Sequence, residues 1–93
     1  IPPTPVGFAQ AVDSNGYNNN TNSCNALPSL NPKYTETQSI GVGTILYNED
    51  TLTTRFNGGN LWYRIGFGNT YRVNTLGEII AVSVCGGGGG IPQ

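Results

Sequence analysis

Two cysteines are the residues of this chain with the most definite chemistry. Cys24 and Cys85 have no second cysteine pair and no histidine beside them, so they lack the partners of a zinc site. The pattern favours a disulfide between them, and two free thiols in the core are the alternative. A disulfide would close a loop of about 60 residues, stabilise the fold by roughly 4 kcal/mol and indicate an oxidising compartment.

Catalytic chemistry has no evident residues in this sequence. The chain contains no histidine, and its Ser, Thr and Tyr hydroxyls have no obvious base to activate them. Carboxylate catalysis would need two of the five acidic residues to converge, yet Glu49 and Asp50 lie together in a predicted turn. We therefore expect no enzymatic activity and no cofactor.

The segment that begins at Asp13 has part of the pattern of a calcium loop. In such loops, oxygen ligands at alternate positions surround the cation, and a glycine permits the sharp turn. Residues 13–16 are Asp-Ser-Asn-Gly and Asn18 follows, but the terminal acidic ligand is missing. Because Asn-Gly is also common in ordinary turns, we expect a turn here and no metal site.

The sequence predicts two ways in which sugar could be associated with this chain, as a covalent modification or as a bound ligand. The single Asn-x-Ser/Thr sequon begins at Asn19 in a polar stretch, which makes Asn19 the candidate glycosylation site. A bound sugar would instead stack on an exposed aromatic ring, for which Trp62 and Tyr71 are the candidates. Since side chains alternate between the two faces of a strand, Trp62 and Tyr63 cannot both face outward, and one of them is expected in the core.

The composition excludes several classes of partner. Of the 93 residues, 37% are hydrophobic and 10% are charged, with a net charge of -1 and four scattered cations. Nucleic acid would need clustered basic side chains, and an anionic membrane surface would need a basic patch. No run of about 18 apolar residues is present to insert into a membrane. The 12 Asn, 10 Thr and 14 Gly instead suit a secreted protein whose neighbours are sugar or copies of itself.

The apolar pattern is that of an all-β chain. Alternating or short continuous apolar runs predict strands over residues 7–12, 43–47, 61–67, 70–73 and 78–84. Residues 74–77 are predicted to form a hairpin turn, and residues 13–32 are rich in turn-forming side chains and are predicted to be loop. We expect a small sandwich or barrel of five to seven short, mainly antiparallel strands with one disulfide.

The two ends of the chain differ from its middle. Residues 1–5 are proline-rich and are predicted to be a linker or an edge segment, followed by a β-domain over residues 6–85. Residues 86–93 begin with five glycines and are predicted to link to a next repeat. Their last three residues, Ile-Pro-Gln, echo the opening Ile-Pro-Pro, which indicates a tandem array with a period of about 90 residues.

A series of short motifs runs through the second half of the chain. They are Gly43-Thr44-Ile45-Leu46-Tyr47, Leu52-Thr53-Thr54, Phe56-Asn57-Gly58-Gly59-Asn60, Trp62-Tyr63, Tyr71-Arg72-Val73, Gly77-Glu78-Ile79 and the closing Cys85. In this order they resemble modules repeated in long surface and fibre proteins of Bacteroidota and their phages. The resemblance excludes residues 1–35 and implies an extracellular, non-enzymatic repeat unit of an adhesin, tail fibre or filament.

These patterns together predict a structural subunit or tandem-repeat module of an extracellular, glycosylated fibre on a cell or virion surface. Its partners would be copies of itself and attached or bound glycans, with no nucleic acid and no membrane insertion. Neighbours would pair at strand edges, with the segment 6–12 adding to an open edge and Phe8 and Val12 as its anchors. The alternative is a carbohydrate- or receptor-binding module of an adhesin or phage tail fibre.

Overall fold

The computed structural model describes residues 7–66 and 68–85 of the chain. Its elements are β1 (Phe8–Asp13), α1 (Asn20–Asn25), β2 (Leu30–Thr35), β3 (Leu61–Arg64), β4 (Thr70–Val73) and β5 (Ile79–Ser83). The predicted all-β class is confirmed, with five strands in two antiparallel sheets, one short helix and one disulfide. The predicted terminal segments, residues 1–5 and 86–93, lie outside the described residues.

The strands pair as two antiparallel sheets. β1 pairs with β2 over its whole length, from Phe8 opposite Thr35 to Asp13 opposite Leu30. The second sheet has the order β3-β4-β5, with a register shift between β4 and β5 near Val73. Short apolar runs separated by turn residues are typical of such hairpins, because antiparallel neighbours need only a tight connection.

The predicted turn between β4 and β5 is confirmed. The Asn74 side chain accepts hydrogen bonds from the backbone N–H groups of Leu76 and Glu78, each at 2.9 Å. Gly77 has φ +82°, and a Cβ at this position would lie 2.8 Å from the carbonyl oxygens of Leu46 and Phe56. Glycine is therefore required here both for the backbone conformation and for the close approach.

Isolated bridges connect the two sheets on both sides. Val12 of β1 bridges to Ile65, immediately after β3. On the other side, Tyr47 bridges to Tyr34 of β2, and Ile45 bridges to Glu78, the residue immediately before β5. The segment 45–47 therefore fills the gap between β2 and β5, so the strands follow one another around a single core.

The core lies inside this ring of strands. Its buried members are Val12, Leu46, Tyr63, Val73 and Ile79, each 6% exposed or less. Burial raises the pKa of the Tyr63 phenol, whose hydroxyl donates a hydrogen bond of 2.9 Å to the carbonyl of Gly58. The phenol thus keeps a partner for its one polar group inside an otherwise apolar core.

Two local expectations are corrected by the structure. Residues 43–47 form isolated bridges at Ile45 and Tyr47 instead of a continuous strand. The predicted loop 13–32 contains α1 and the start of β2. β2 also contains Pro32, which has no N–H. Backbone groups two residues apart in a strand face the same edge, and Tyr34 directs its N–H and C=O toward Tyr47, away from β1. Pro32 therefore faces away from β1 as well, and the β1–β2 pairing loses no hydrogen bond.

Candidate assembly interface along β5

The predicted disulfide is confirmed and lies beside the end of β5. Cys24 in α1 is bonded to Cys85, two residues after the last residue of β5, with a Cα–Cα distance of 5.2 Å. No free cysteine is found among the described residues. The bond indicates a non-reducing setting, because thiols of this kind stay reduced in the cytosol.

The helix α1 covers one face of the second sheet. Ser23, which is fully buried, shares a 2.6 Å hydrogen bond with the hydroxyl of Thr70 in β4. The Asn20 side-chain amide donates to the hydroxyl of Ser83 in β5 at 2.7 Å. Together with the disulfide, these hydrogen bonds hold α1 against one face of the sheet near the C-terminal end of β5. They do not cover the outer edge of β5.

The backbone of β5 is paired on its outer side only at its start. The N–H of Ile79 donates to the carbonyl of Thr44, and the N–H of Gly43 donates to the carbonyl of Ile79, each at 2.8 Å. The chain then turns away, since residues 42–43 form a turn and Gly41 accepts from the N–H of Thr44. The coverage of this edge therefore ends at Ile79.

Beyond Ile79, the orientation of the β5 backbone follows from the ladder. Trp62 of β3 directs its N–H and C=O outward to Tyr17, so the alternation along β3 turns Tyr63 toward Tyr71 of β4. The same alternation turns Arg72 of β4 toward β5. Because Arg72 pairs with Ala81, the next residue, Val82, directs its N–H and C=O away from β4. Within residues 7–66 and 68–85, no group hydrogen-bonds to them.

The side chains of this edge are apolar and partly exposed. Ile80 is 41%, Val82 40% and Val84 74% exposed. No charged residue and no proline occurs from Ile79 to Cys85. Sheet edges are usually protected by Lys, Pro or a covering segment, because an unpaired edge is a template for another strand. We call the segment Ile80 to Val84 the open edge.

The sequence analysis missed the open edge as a site. The sequence does contain an apolar run without a charged residue at residues 79–85, but such a run is equally typical of a buried strand. Only the placement of β5 at the end of its sheet distinguishes the two cases.

Phe8 and Val12, the predicted assembly anchors, both belong to β1. Val12 is 1% exposed and packs in the core of its own chain, whereas Phe8 is 46% exposed at the start of the strand. β1 is already hydrogen-bonded to β2 along its length. The folded chain therefore cannot offer Val12 to a neighbour, and an assembly role of Phe8 stays a prediction.

Asn19, the predicted glycosylation site, caps the start of α1. Its side-chain oxygen accepts a 2.8 Å hydrogen bond from the N–H of Asn22, as an N-cap residue does. The residue is exposed, and so is Thr21, the third residue of the sequon. An N-linked glycan attaches through the amide nitrogen, so the cap and a glycan are compatible.

Trp62 and Tyr71, the predicted sugar-stacking residues, lie on opposite faces of their sheet. Trp62 is opposite Arg72, whereas Tyr71 is opposite the buried Tyr63 and packs against the core. The expectation that one of Trp62 and Tyr63 is in the core is confirmed, since Tyr63 is 6% exposed and Trp62 is half-buried. The two candidate rings therefore provide no common platform for a sugar.

Two carboxylates, those of Asp13 and Glu49, accept hydrogen bonds in turns. Asp13 is buried, and one of its oxygens accepts from the N–H groups of Asn15 and Ser29, each at 3.1 Å, which closes the turn predicted there. Glu49 accepts from the N–H of Thr54 at 2.6 Å, and this bond lowers the pKa of its carboxyl. Among the described residues, no group of three or more Cys, Asp or Glu is placed to bind a metal.

A shallow depression of about 320 Å³ lies beside the covered part of β5. It is lined by Glu36, Thr37 and residues 42–45. Among the described residues of that lining, Glu36 has a titratable side chain.

Comparisons with known proteins identified no relative of this chain. No protein-family model matches the chain, and searches of curated proteins and of solved structures found no significant match. The described residues also include no helix long and apolar enough to cross a membrane.

Proposed function

We propose that this chain is a structural module of an extracellular fibre and that it joins copies of itself by strand pairing at the open edge. The observation that carries this proposal is the outer side of Val82, where the backbone N–H and C=O face away from the sheet without a partner in the described chain. Its apolar neighbours Ile80 and Val84 are partly exposed along the same open edge.

The physical argument concerns what such an edge does in water. Backbone groups and apolar side chains together favour the addition of another strand, because main-chain hydrogen bonds and burial of apolar area act in the same direction. A protein that functions alone usually carries a charge or a proline there. The absence of both from residues 79–85 is expected when pairing is the function.

The extracellular setting is supported by two properties. The Cys24–Cys85 disulfide needs a non-reducing compartment. The chain also has few charged residues and many neutral polar ones. Identical copies can therefore pack closely, because there is little electrostatic repulsion between their surfaces. The resemblance to fibre modules points the same way, and we propose that a glycan at Asn19 contributes solubility along the exposed surface.

The experiment is to measure assembly of the purified full chain by negative-stain electron microscopy and sedimentation velocity. We expect fibres or oligomers for the parent chain and a loss of assembly for Val82→Lys, since a charge on a strand edge opposes pairing. Lysine is tolerated by the fold because Val82 is 40% exposed and the long side chain reaches solvent.

The matched control is Leu27→Lys, which places the same charge at an 86% exposed leucine between α1 and β2. This variant should assemble like the parent chain. A parent chain that stays monomeric at all concentrations would contradict the proposed function, and so would a Val82→Lys variant that assembles normally.

A further inference from the structure

We propose that the strand accepted by the open edge is residues 2–6 of a neighbouring copy, Pro-Pro-Thr-Pro-Val. This inference rests on the proposed function, since it names the segment that fills the edge. The argument combines the geometry of β5 with the chemistry of a sequence segment that lies directly before Gly7, the first described residue.

The first step is the spacing of the prolines. In an extended strand, the N–H groups of successive residues point to opposite edges, and residues two apart share an edge. Pro3 and Pro5 share one edge and have no N–H to offer there. Pro2, Thr4 and Val6 share the other edge, and of these three Thr4 and Val6 have an N–H. The segment can therefore donate hydrogen bonds on the side of Thr4 and Val6 and on no other.

A strand with hydrogen-bond donors on one edge only can occupy the outermost position of a sheet, where it has a neighbour on one side. Proline is tolerated on the outer side of an edge strand, because no neighbour needs its N–H there. A strand added through Thr4 and Val6 would present Pro3 and Pro5 to solvent and so close the sheet to further strands. The same prolines that speak against a central strand thus favour a capping strand.

The second step is a match of length and charge. Residues 1–6 span at most about 20 Å when extended, and the open edge from Ile80 to Val84 spans roughly 14 Å. Neither segment contains a charged residue, so pairing them buries no unpaired charge. Val6 also offers an apolar side chain to a surface that already exposes Val82 at 40%.

The third step compares the segment before Gly7 with two other segments of the chain, β1 and the glycine run. Residues 8–13 are already β1, paired with β2 and packed in the core. Residues 86–90 are all glycine, which is a poor strand former because it has no side chain to pack. The segment before Gly7 combines apolar side chains with usable N–H groups on one side, which β1 cannot offer while it is paired and the glycine run does not contain.

The donor and the acceptor are different parts of the chain, and this decides the symmetry. A donor before β1 and an acceptor at β5 form a head-to-tail contact, which repeats without closing and builds a fibre. Pairing of β5 with β5 of another copy would instead be two-fold symmetric and would stop at a dimer.

The experiment uses two full-length variants, each defective in one role. Thr4→Pro removes the donor N–H and leaves β5 intact, and Val82→Lys blocks the acceptor and leaves residues 2–6 intact. We expect each variant alone to be monomeric, with self-association weakened at least about tenfold by the loss of a hydrogen bond and of strand packing. An equimolar mixture should form a one-to-one heterodimer in sedimentation velocity.

The control for the donor is Pro5→Ala, which restores an N–H on the outward side. This variant should assemble at least as well as the parent chain, because the pairing side with Thr4 and Val6 is unchanged. Circular dichroism of all variants should match the parent spectrum, which separates a loss of pairing from a loss of folding.

Three outcomes would overturn the inference while the proposed function stands. A Thr4→Pro chain that still forms fibres would show that another segment is the donor. A Thr4→Pro chain that stops at dimers would indicate pairing of β5 with β5. A mixture without heterodimers, with Thr4→Pro lowering the thermal stability of the monomer, would show that residues 2–6 fill the edge of their own chain. Unchanged assembly by Val82→Lys would instead remove the proposed function itself.

Discussion

The hydroxyl groups of Ser23 and Thr70 share a hydrogen bond of 2.6 Å, although the two residues are 47 positions apart. Both side chains are fully buried. The bond joins α1 to β4 and orients the helix so that its cysteine meets Cys85. A six-residue helix is far too short to be stable by itself, so contacts of this kind are what keeps it folded.

Removing one of these two hydroxyls should destabilise the chain. We expect Ser23→Ala to lower the free energy of unfolding by about 1–3 kcal/mol, because Thr70 would keep a buried hydroxyl without its partner. The double variant Ser23→Ala/Thr70→Val should cost less than the sum of the two single variants. Urea denaturation followed by tryptophan fluorescence measures all three, and additive effects would contradict a direct bond.

Reduction of the disulfide should cost more than any single side chain. Cys24 and Cys85 are separated by 61 positions, and closing a loop of that length stabilises the fold by about 4 kcal/mol in the chain-entropy model. Denaturation with and without reductant gives the difference. The double variant Cys24→Ser/Cys85→Ser should behave like the reduced chain and be insensitive to reductant. Equal stability of the oxidised and reduced chains would refute this account.

Gly77 should be difficult to replace, because its backbone conformation and its close neighbours both exclude a side chain. Gly77→Ala adds a Cβ at 2.8 Å from two carbonyl oxygens to a residue with φ +82°, so we expect a loss of more than about 1 kcal/mol. Gly41→Ala is the matched control, since a Cβ there meets no atom within 4 Å. Its effect should stay within about 0.5 kcal/mol in thermal or urea unfolding. Similar losses for the two variants would mean that the turn can adjust.

The stability should fall at acidic pH partly through Glu49. The hydrogen bond from the Thr54 N–H holds the pKa of this carboxyl below its usual value, so the ionised form is favoured in the folded chain. The resulting stabilisation is present above the usual pKa and is lost as the pH falls through the lowered one. An NMR titration should show the lowered pKa, and the stability difference between parent and Glu49→Gln should shrink with acidification. A difference independent of pH would contradict this assignment.

Asn19 should carry an N-linked glycan on chains from the native source. Thr21→Ala removes the sequon and leaves the cap at Asn19, so it should abolish the added mass without unfolding α1. Asn19→Asp removes the attachment atom and retains an N-cap side chain. Intact mass spectrometry provides the measurement. An unmodified mass for the native peptide that contains Asn19 would rule out the glycan.

Local patterns predicted much of the second half of the fold. β4 coincides with the predicted 70–73, and β5 lies within the predicted 78–84. The reason is that period-two alternation and a four-residue hairpin turn are short-range properties, which a sequence displays directly. The disulfide was predictable for an equally simple reason, since two cysteines offer a single pairing.

The first half depended on contacts that a sequence does not display. β2 contains Pro32 and lies in a stretch of turn-forming residues, and it is a strand because β1 and Tyr47 lie on its two sides. α1 has too few residues to show a helical period and is held by Ser23 and the disulfide. Tertiary contacts override weak local propensities in both cases.

Composition and pattern by themselves therefore determined the all-β class, the cross-link and the low-charge surface of this protein. The tertiary structure decided which apolar residues are core and which are edge: Val12 and Val82 have the same side chain, yet one is 1% and the other 40% exposed. Burial depends on which strands come to lie beside a residue, and strand order is a long-range property of the folded chain.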